Sequence, residues 1–333
     1  MTDATLRVVA TGPLVSFQDA GRPGLMRFGV PVSGPIDRRA HAIANLAIGA
    51  RADATAIEVS TAGLTLECES GSVTLAVAGG AFTVMRNDIA QASWSVVSLR
   101  PGDRLAVTSG PRGRWAYVAV AGAFEVPSWL GRTATHSMSG FGGGAVRVGD
   151  AVTVAGARAS ADRDGPIPLA PEPPIERVRV VPGPQDRHFT PATIDTFLTE
   201  AFAITAAADR MGVRLDGPRL DLATSLSIPS EPVVRGSVQV AGDGTPTVLL
   251  ADHQTTGGYP KIATVVSADL DRVAQLRPGD PVTFDPIDPA AAIAAAREHA
   301  ARRADDATTL SRPSLAQRLA TENLIGGGGD DAV

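Results

Sequence analysis

The feature that most constrains this chain is its rhythm of short strand-like runs. Residues 6–10, 56–60, 64–68, 73–77, 94–99, 104–107, 115–120 and 146–154 are rich in valine, leucine and alanine. Glycine, proline or acidic turn residues separate most of them. One helix interrupts the pattern: Asp37 caps a run through about Ile48, with Ile43, Leu46 and Ala47 on one face and Gly49 at the stop. Many short strands with so little helix predict a mainly β architecture, a barrel or sandwich, and not a wound α/β sheet.

At 333 residues the chain exceeds one core of ordinary size, so two domains are expected. The composition shifts to alanine, aspartate and proline and ends in PLAPEPPIE, which reads as a stiff linker over 161–176. This gives a β-rich domain over 1–160, a second β domain over 177–287 that includes a helix capped by Thr190 with Pro191 at its first position, and a tail over 288–333. In the tail, Asp288 and Pro289 open an alanine-rich helix to about Arg303. A second helix from Ser311 to Asn323 and a disordered GGGGDDAV end are expected after it. Two echoes relate the halves. LRVVATGP at residue 6 resembles VRVVPGP at residue 178, and LRPGD occurs at both Leu99 and Leu276. Tandem β-barrels are the architecture these echoes predict.

Charge and composition narrow the function classes. The net charge is −5, no basic run exceeds two arginines, and aromatic residues make up 4%, so a nucleic-acid partner is not expected. Nowhere do eighteen apolar residues run together, and MTDATLRVVATGP is not patterned as a leader, so the expectation is a cytoplasmic protein without a membrane segment. Cys68 shares a strand face with Leu64 and Leu66, which predicts a buried, inert thiol.

Chemistry concentrates in residues 251–266, ADHQTTGGYPKIATVV. Lys261 is the only lysine of a chain with thirty basic Lys and Arg residues. A lysine is a compact charge whose proton affinity moves with burial, which suits it to polarising an oxygen. Around it lie Asp252, Gln254, Thr255, Thr256 and Tyr259, and Gly257-Gly258 lets backbone approach a ligand closely. Two further groups are candidates. Gln18, Asp19 and Arg22 are followed by Ser33 and Asp37; the structural alternative is an Asp19–Arg22 pair and a capping role for Asp37. Arg210 and Arg214 could clamp a carboxylate or phosphoryl group; the alternative is an ion pair with Asp209 or Asp216. No Walker-type phosphate loop is present. GFGGGA at Gly140 precedes a strand where a dinucleotide fingerprint needs a helix, so it reads as a flexible loop bordering a site. The five histidines show no metal-ligand spacing, and no metal site is expected.

Four motifs, SFQDAGRPGLMRFGVPVSGPID, RVVPGPQ, DRMGVRLDGPRL and LLADHQTTGGYPKIATVVSADLDRVAQLRPGD, together resemble the allophanate-hydrolase-subunit-2 family, also called the biotin-dependent carboxyltransferase-like family. The resemblance spans about residues 6–285. It implies cyclophilin-like β-barrel architecture, including a cyclophilin-like second domain. It further implies the role of the C component in an ATP-dependent 5-oxoprolinase, inactive without a subunit-1 protein of the PxpB or KipI type and a PxpA-like subunit. In that scheme ATP with Mg2+, held by the complex and on this chain or its partner, phosphorylates the lactam of 5-oxo-L-proline. Hydrolysis then yields L-glutamate, ADP and phosphate. The site needs cations for the phosphoryl group and donors for the developing oxygen charge. By position the resemblance casts Lys261 and Arg210 or Arg214 as cations, Asp19 or Asp252 as acid–base or metal-facing carboxylates, and Gln254, Thr255, Tyr259 and the Gly257-Gly258 backbone as orienting groups. Two other roles stay open: a carboxyltransferase acting on urea or another amide with a separate biotin carrier, since no biotin lysine exists here, and a non-catalytic partner of a KipI-like inhibitor. The chain departs from the family pattern at Met138 and His253, where arginines are common.

Overall fold

The computed structural model describes residues 3–223 and 228–311. Two β units and the segment between them account for most of it. The first is an 11-stranded sheet built on a pair of long antiparallel strands, Val73–Arg86 and Arg104–Val120. Each was expected to be shorter, because AGG and SGPRG look like turns. Instead the glycines sit where the strands cross at a bend. A Cβ at Gly79 would stand 2.4 Å from the Ala116 Cα, and one at Gly80 2.7 Å from the Gly113 Cα, so only glycine lets the two backbones pass.

The bend divides the sheet. The start of Val73–Arg86 pairs with Ser95–Leu99, while the end of Arg104–Val120 pairs with Ala56–Ser60. Beyond the bend, Arg104–Val107 pairs with Leu64–Ser70, which continues to Ala4–Thr11 and Ala151–Ala155. Leu6, Leu66 and Leu105 from one part pack with Ile57, Leu75 and Val118 from the other in a single core. Cys68 is buried in that core, and burial raises its thiol. Ala76, Ala78, Tyr117 and Ala119 point the other way, onto helix α1 (Arg38–Ala47). Both faces being covered explains why these strands read as continuous apolar runs. Asp37 caps α1 by accepting from the Ala40 amide at 2.9 Å; Leu46 is only half-buried, and Ala40 and Ala44 complete the packed face instead. The strand expected over 146–154 shortens to Ala151–Ala155, because the turn at Gly149 precedes it.

The second unit is a closed barrel of seven strands: Arg177–Pro182, Lys261–Val265, Ser237–Val240, Pro246–Leu249, Gly212–Asp216, Phe202–Ala208 and Pro281–Pro286. Helix α2 (Pro191–Thr199) starts under its Thr190 cap, whose hydroxyl accepts from the Thr193 amide at 3.1 Å. The short α3 (Leu270–Ala274) was not expected from the sequence. The two LRPGD segments form the same turn. Asp103 accepts from the Arg100 amide and Asp280 from the Arg277 amide, with Gly102 and Gly279 at φ of 89° and 91°. The echo thus marks equivalent turns, yet only the second unit closes. In the first, the strand path branches at Arg104–Val120 and does not return on itself.

The segment expected as a linker is tied down: Gly165–Pro166 pairs with Ser95–Val96, Ile167 joins the core behind α1, and Ile175 joins the barrel core. Helix α4 (Pro289–Ser311) runs past the expected end at Arg303 and lies against α1, where Asp306 binds Arg39 with Nε–Oδ2 2.7 Å. The helix expected beyond Ser311 and the glycine-rich end lie outside the described residues. No helix among the described residues is long and apolar enough to cross a membrane.

Candidate functional site

The two units meet through buried charge. Arg210, at the turn before Gly212–Asp216, reaches out of the barrel. Its Nε and Nη2 donate to both oxygens of Asp252 at 2.9 and 3.0 Å, Nη1 donates to Glu58 of the first unit, and Nη2 also donates to the Gly34 carbonyl at 2.8 Å. All three side chains are sealed from solvent. Glu58 takes two more bonds on its other oxygen, from the Ile36 amide at 2.9 Å and the Tyr117 hydroxyl at 2.7 Å. Asp252 also accepts from the Ser137 amide at 2.9 Å. Burial alone would raise the Asp252 carboxyl, but Arg210 and Ser137 outweigh it and hold it down at about 2. The Arg210 guanidinium is raised against its own burial by the two carboxylates.

This corrects two expected roles. Arg210 is not a free clamp for a phosphoryl group, since its donors are spent on the chain itself. Nor is its partner Asp209 or Asp216, because Asp209 accepts instead from the Met211 and Gly212 amides. Asp252 stays ionised and fully paired, so it is no proton carrier. Asp19 is similarly committed, accepting from the Gly21, Thr133 and Ala134 amides. Arg22 does not pair with Asp19. It stacks 4.7 Å over Trp129 and donates to the carbonyls of Trp129, Arg132 and Ala134. Gln18 donates to Ser16 and to the Thr135 carbonyl. These three residues hold the glycine-rich 129–144 segment against the first unit. Asp37 both caps α1 and accepts from Gln275 of the barrel at 2.7 Å; burial and the nearby Asp271 push its carboxyl up to about 7.

Beside the knot lies a cleft of about 380 Å³, lined from the first unit by Ser33, Arg38 and His41, from the barrel by Arg235 and His253, and from α4 by Arg303. Ser33 is 3% exposed, its backbone is left-handed (φ 55°), and its hydroxyl is unpartnered. Arg235 spends Nη1 and Nη2 on the Pro35 and Ile36 carbonyls and leaves Nε without a partner. Burial, reinforced by Arg38, lowers its guanidinium to about 10. His253 is buried, its Nδ1 lies 2.6 Å from the Gln254 carbonyl, and burial lowers it from the usual imidazole range. A cleft edged by guanidinium groups, with the Arg235 Nε and the Ser33 hydroxyl unpartnered, has the chemistry to take an oxyanion.

The polar stretch 251–261 does not form one site. Asp252 enters the knot and His253 the cleft, and the rest turns to the barrel wall. Gln254 donates to Gln239 at 3.0 Å, Thr256–Gly257 pairs with Glu231–Pro232, and the Thr255 carbonyl accepts from Val233. A Cβ at Gly257 would stand 2.7 Å from Gln239 Nε2. Gly258 has only looser neighbours, and Tyr259 is half exposed. Lys261 is buried with Nζ 3.4 Å from Glu231, and Gln185 bridges that carboxylate at 2.7 Å. Gln239, Gln254, Tyr259 and Arg214 border a separate depression of about 620 Å³, where Arg214 pairs with the exposed Asp243. Lys261 and Arg210 therefore serve different places.

Glu58, Arg235, Glu231 and Arg303 were missed. Glu58 carried a signal, a lone carboxylate inside the apolar run AIEVS; the others carried none.

The region from residue 28 to 286 matches the family model described as carboxyltransferase domain, subdomain A and B. The chain belongs to that carboxyltransferase family. It is 32% identical over 283 residues to the C component of 5-oxoprolinase from Escherichia coli, covering 84% of this chain and 90% of that one. Over 275 residues it is 32% identical to the Haemophilus influenzae protein of the same name, covering 82% and 88%. Among solved structures, the Kluyveromyces lactis urea carboxylase superposes with a TM-score of 0.83 at 26% identity, over 95% of this chain and 30% of that one. The K. lactis urea amidolyase gives 0.82 at 27%, over 92% and 20%, so this chain spans about a fifth of its length. The family resemblance read from the four motifs holds, and these carboxyltransferase relatives share the mainly β fold.

Proposed function

We propose that this chain is the C component of an ATP-dependent 5-oxoprolinase and opens 5-oxo-L-proline to L-glutamate only with a PxpB or KipI-type subunit 1 and a PxpA-like subunit. The observation that carries this reading is the 32% identity running through 90% of the E. coli 5-oxoprolinase component. The cationic cleft between the units supports it, since the lactam is small and carries a carboxylate. Two observations favour placing ATP with Mg2+ on the partner or on a site shared with it. The amides of Gly140, Gly143 and Gly144 donate to the His136 and Thr133 carbonyls and the Thr135 hydroxyl, so these three are not free to cradle a phosphate. Among the described residues, no three His, Cys, Asp or Glu gather where a metal could sit. We therefore assign the nucleotide to the partner. Lys261 lies outside that cleft, buried on the barrel wall beside Glu231 and Gln185, and we give it a positioning role and not contact with the lactam.

A second reading, carboxyl transfer to urea or another amide with a separate biotin carrier, is favoured by the superposition on urea carboxylase. One reconstitution separates the two. This chain, mixed with its subunit-1 and PxpA-type partners, should release glutamate from 5-oxo-L-proline only when ATP is present. Lys261→Met should assemble equally well yet lose at least tenfold in turnover. A silent, fully assembled wild-type mixture that consumes urea once a biotinylated carrier is added would replace the first reading with the second.

A further inference from the structure

Helix α4 begins after the residues the family model matches, which end at 286. It nevertheless reaches the cleft. Arg303 lines the cavity together with Ser33, Arg235 and His253. The helix is locked in place on both sides of that residue: Asp306 is bidentate to Arg39 at 2.7 and 3.1 Å, and Ala295 is buried against Val266 and Ala268. His299, one turn before Arg303, faces Asp271 at 3.9 Å.

The Arg303 side chain makes no hydrogen bond or ion pair to any described residue. Its neighbour Arg302 instead binds Glu298 at 3.1 Å on the exposed side. Around the cleft Arg38, Arg235 and Arg303 come together; Arg38 is paired with Asp271 at 2.8 Å, and the one carboxylate on the wall, Asp53, pairs with Arg51 and Arg132. Arg235 and Arg303 have no carboxylate of their own among the described residues, and two like charges left uncompensated beside one cavity repel each other in the empty protein. The buried Ser33 hydroxyl and the Arg235 Nε, both unpartnered, lie on the same wall. Ser33, Arg235 and Arg303 thus reach the cleft from three different elements, each with a donor that has no partner among the described residues.

We infer that α4 is a specificity element: it inserts Arg303 to grip, with Arg235 and Ser33, the carboxylate of the small ligand that occupies the cleft. Resting on the oxoprolinase reading, this makes the ligand a lactam acid, with its carboxylate on Arg303 and its ring towards His253. The guanidinium plane supplies a charge-assisted pair of N–H donors, a shape that carboxylates match and a histidine at 253 cannot reproduce.

The test is calorimetric binding to the purified full chain, without partners or turnover. The probes are 5-oxo-L-proline, 2-pyrrolidinone (the same ring without the carboxylate) and inorganic phosphate. Wild type should bind 5-oxo-L-proline at least tenfold more tightly than 2-pyrrolidinone. Arg303→Ala should lose that preference, Arg303→Lys should keep part of it, and Arg302→Ala should leave it intact. The melting temperature of Arg303→Ala should be equal to or above that of wild type, since a repelled cation is removed. Equal binding by wild type and Arg303→Ala would overturn the inference, as would phosphate binding in place of the carboxylate or no binding by any probe. The two readings fail separately. Arg303-dependent carboxylate binding beside a complex that never turns over 5-oxo-L-proline sinks the oxoprolinase reading alone. Turnover unaffected by Arg303→Ala sinks only the role of the helix.

Discussion

The knot around Arg210 and the cleft beside it are built from the same residue types, arginine, carboxylate and hydroxyl, yet they differ in one respect. In the knot the donors face acceptors: four of the five guanidinium N–H groups of Arg210 serve Asp252, Glu58 and the Gly34 carbonyl. In the cleft, Ser33 and Arg235 keep buried donors idle and Arg303 has no partner among the described residues. A satisfied buried charge network joins the halves of a molecule, whereas an unsatisfied one of the same composition marks where another molecule belongs. The carboxylates that the sequence marks as candidates fall on the satisfied side of this division, because a residue type does not reveal whether its partners come from the same chain.

The largest expected effect comes from breaking the knot. Arg210→Met leaves Glu58 and Asp252 buried without their cation, which costs about 3–5 kcal/mol for a broken buried pair. Denaturant unfolding should show a loss of that order, with the two units separating from each other. Arg210→Lys should recover little, since one ammonium cannot span both carboxylates and the Gly34 carbonyl. An Arg210→Met protein as stable as wild type would mean that the units are held by their apolar contacts and that the knot is free for other work.

The next effect uses pH and opposes the two sides of α1. His41, on the cleft side, is held neutral by burial down to about 4. Between its unfolded value near 6.5 and about 4 the unfolded chain binds the extra proton, so acid removes about 3 kcal/mol of stability. Asp37, on the knot side, does the reverse. Burial and Asp271 lift it to about 7, the folded state binds the extra proton between there and its unfolded value of 3.8, and acid adds stability over that window. In wild type the two slopes oppose one another. Thermal unfolding followed from pH 7 to 4 should therefore fall more steeply in Asp37→Asn and turn upward in His41→Gln. Identical profiles for both variants would show that neither group carries the linkage.

The sequence held more of the fold than of the site. Strand content, the Asp37 and Thr190 caps and the two LRPGD turns were all legible, because each depends on a few neighbouring residues. The long strands through Gly79 and Gly113 were not, since a glycine that opens a turn and a glycine that lets two strands cross look the same in one dimension. The site failed for a related reason. Asp252 and Arg210 were singled out, but Glu58 lies 152 positions from Arg210, and the backbone amides that satisfy Asp19 come from residues 133 and 134. Long-range partners decide whether a polar residue is structural or available. Gln18, Asp19 and Arg22 were visible as a group while their task, holding the 129–144 segment, was not.

The smallest change in stability should accompany Ser33→Ala, and it sharpens the comparison most directly. The hydroxyl is buried and idle, so removing it deletes a desolvated polar group without orphaning a partner; unfolding should move by no more than about 0.5 kcal/mol and in the stabilising direction. The left-handed backbone at φ 55° is equally strained with serine or alanine, which keeps that term constant. Ser33→Gly relieves the strain and should add about 1 kcal/mol more. Binding should move the other way in both, with carboxylate affinity falling about tenfold for one lost hydrogen bond to a charged group. Unfolding thermodynamics and calorimetric titration on the same two variants therefore give opposite signs if Ser33 belongs to the cleft. A Ser33→Ala protein that loses more than about 1 kcal/mol would place its hydroxyl with the satisfied side of the molecule and remove it from the ligand's grip.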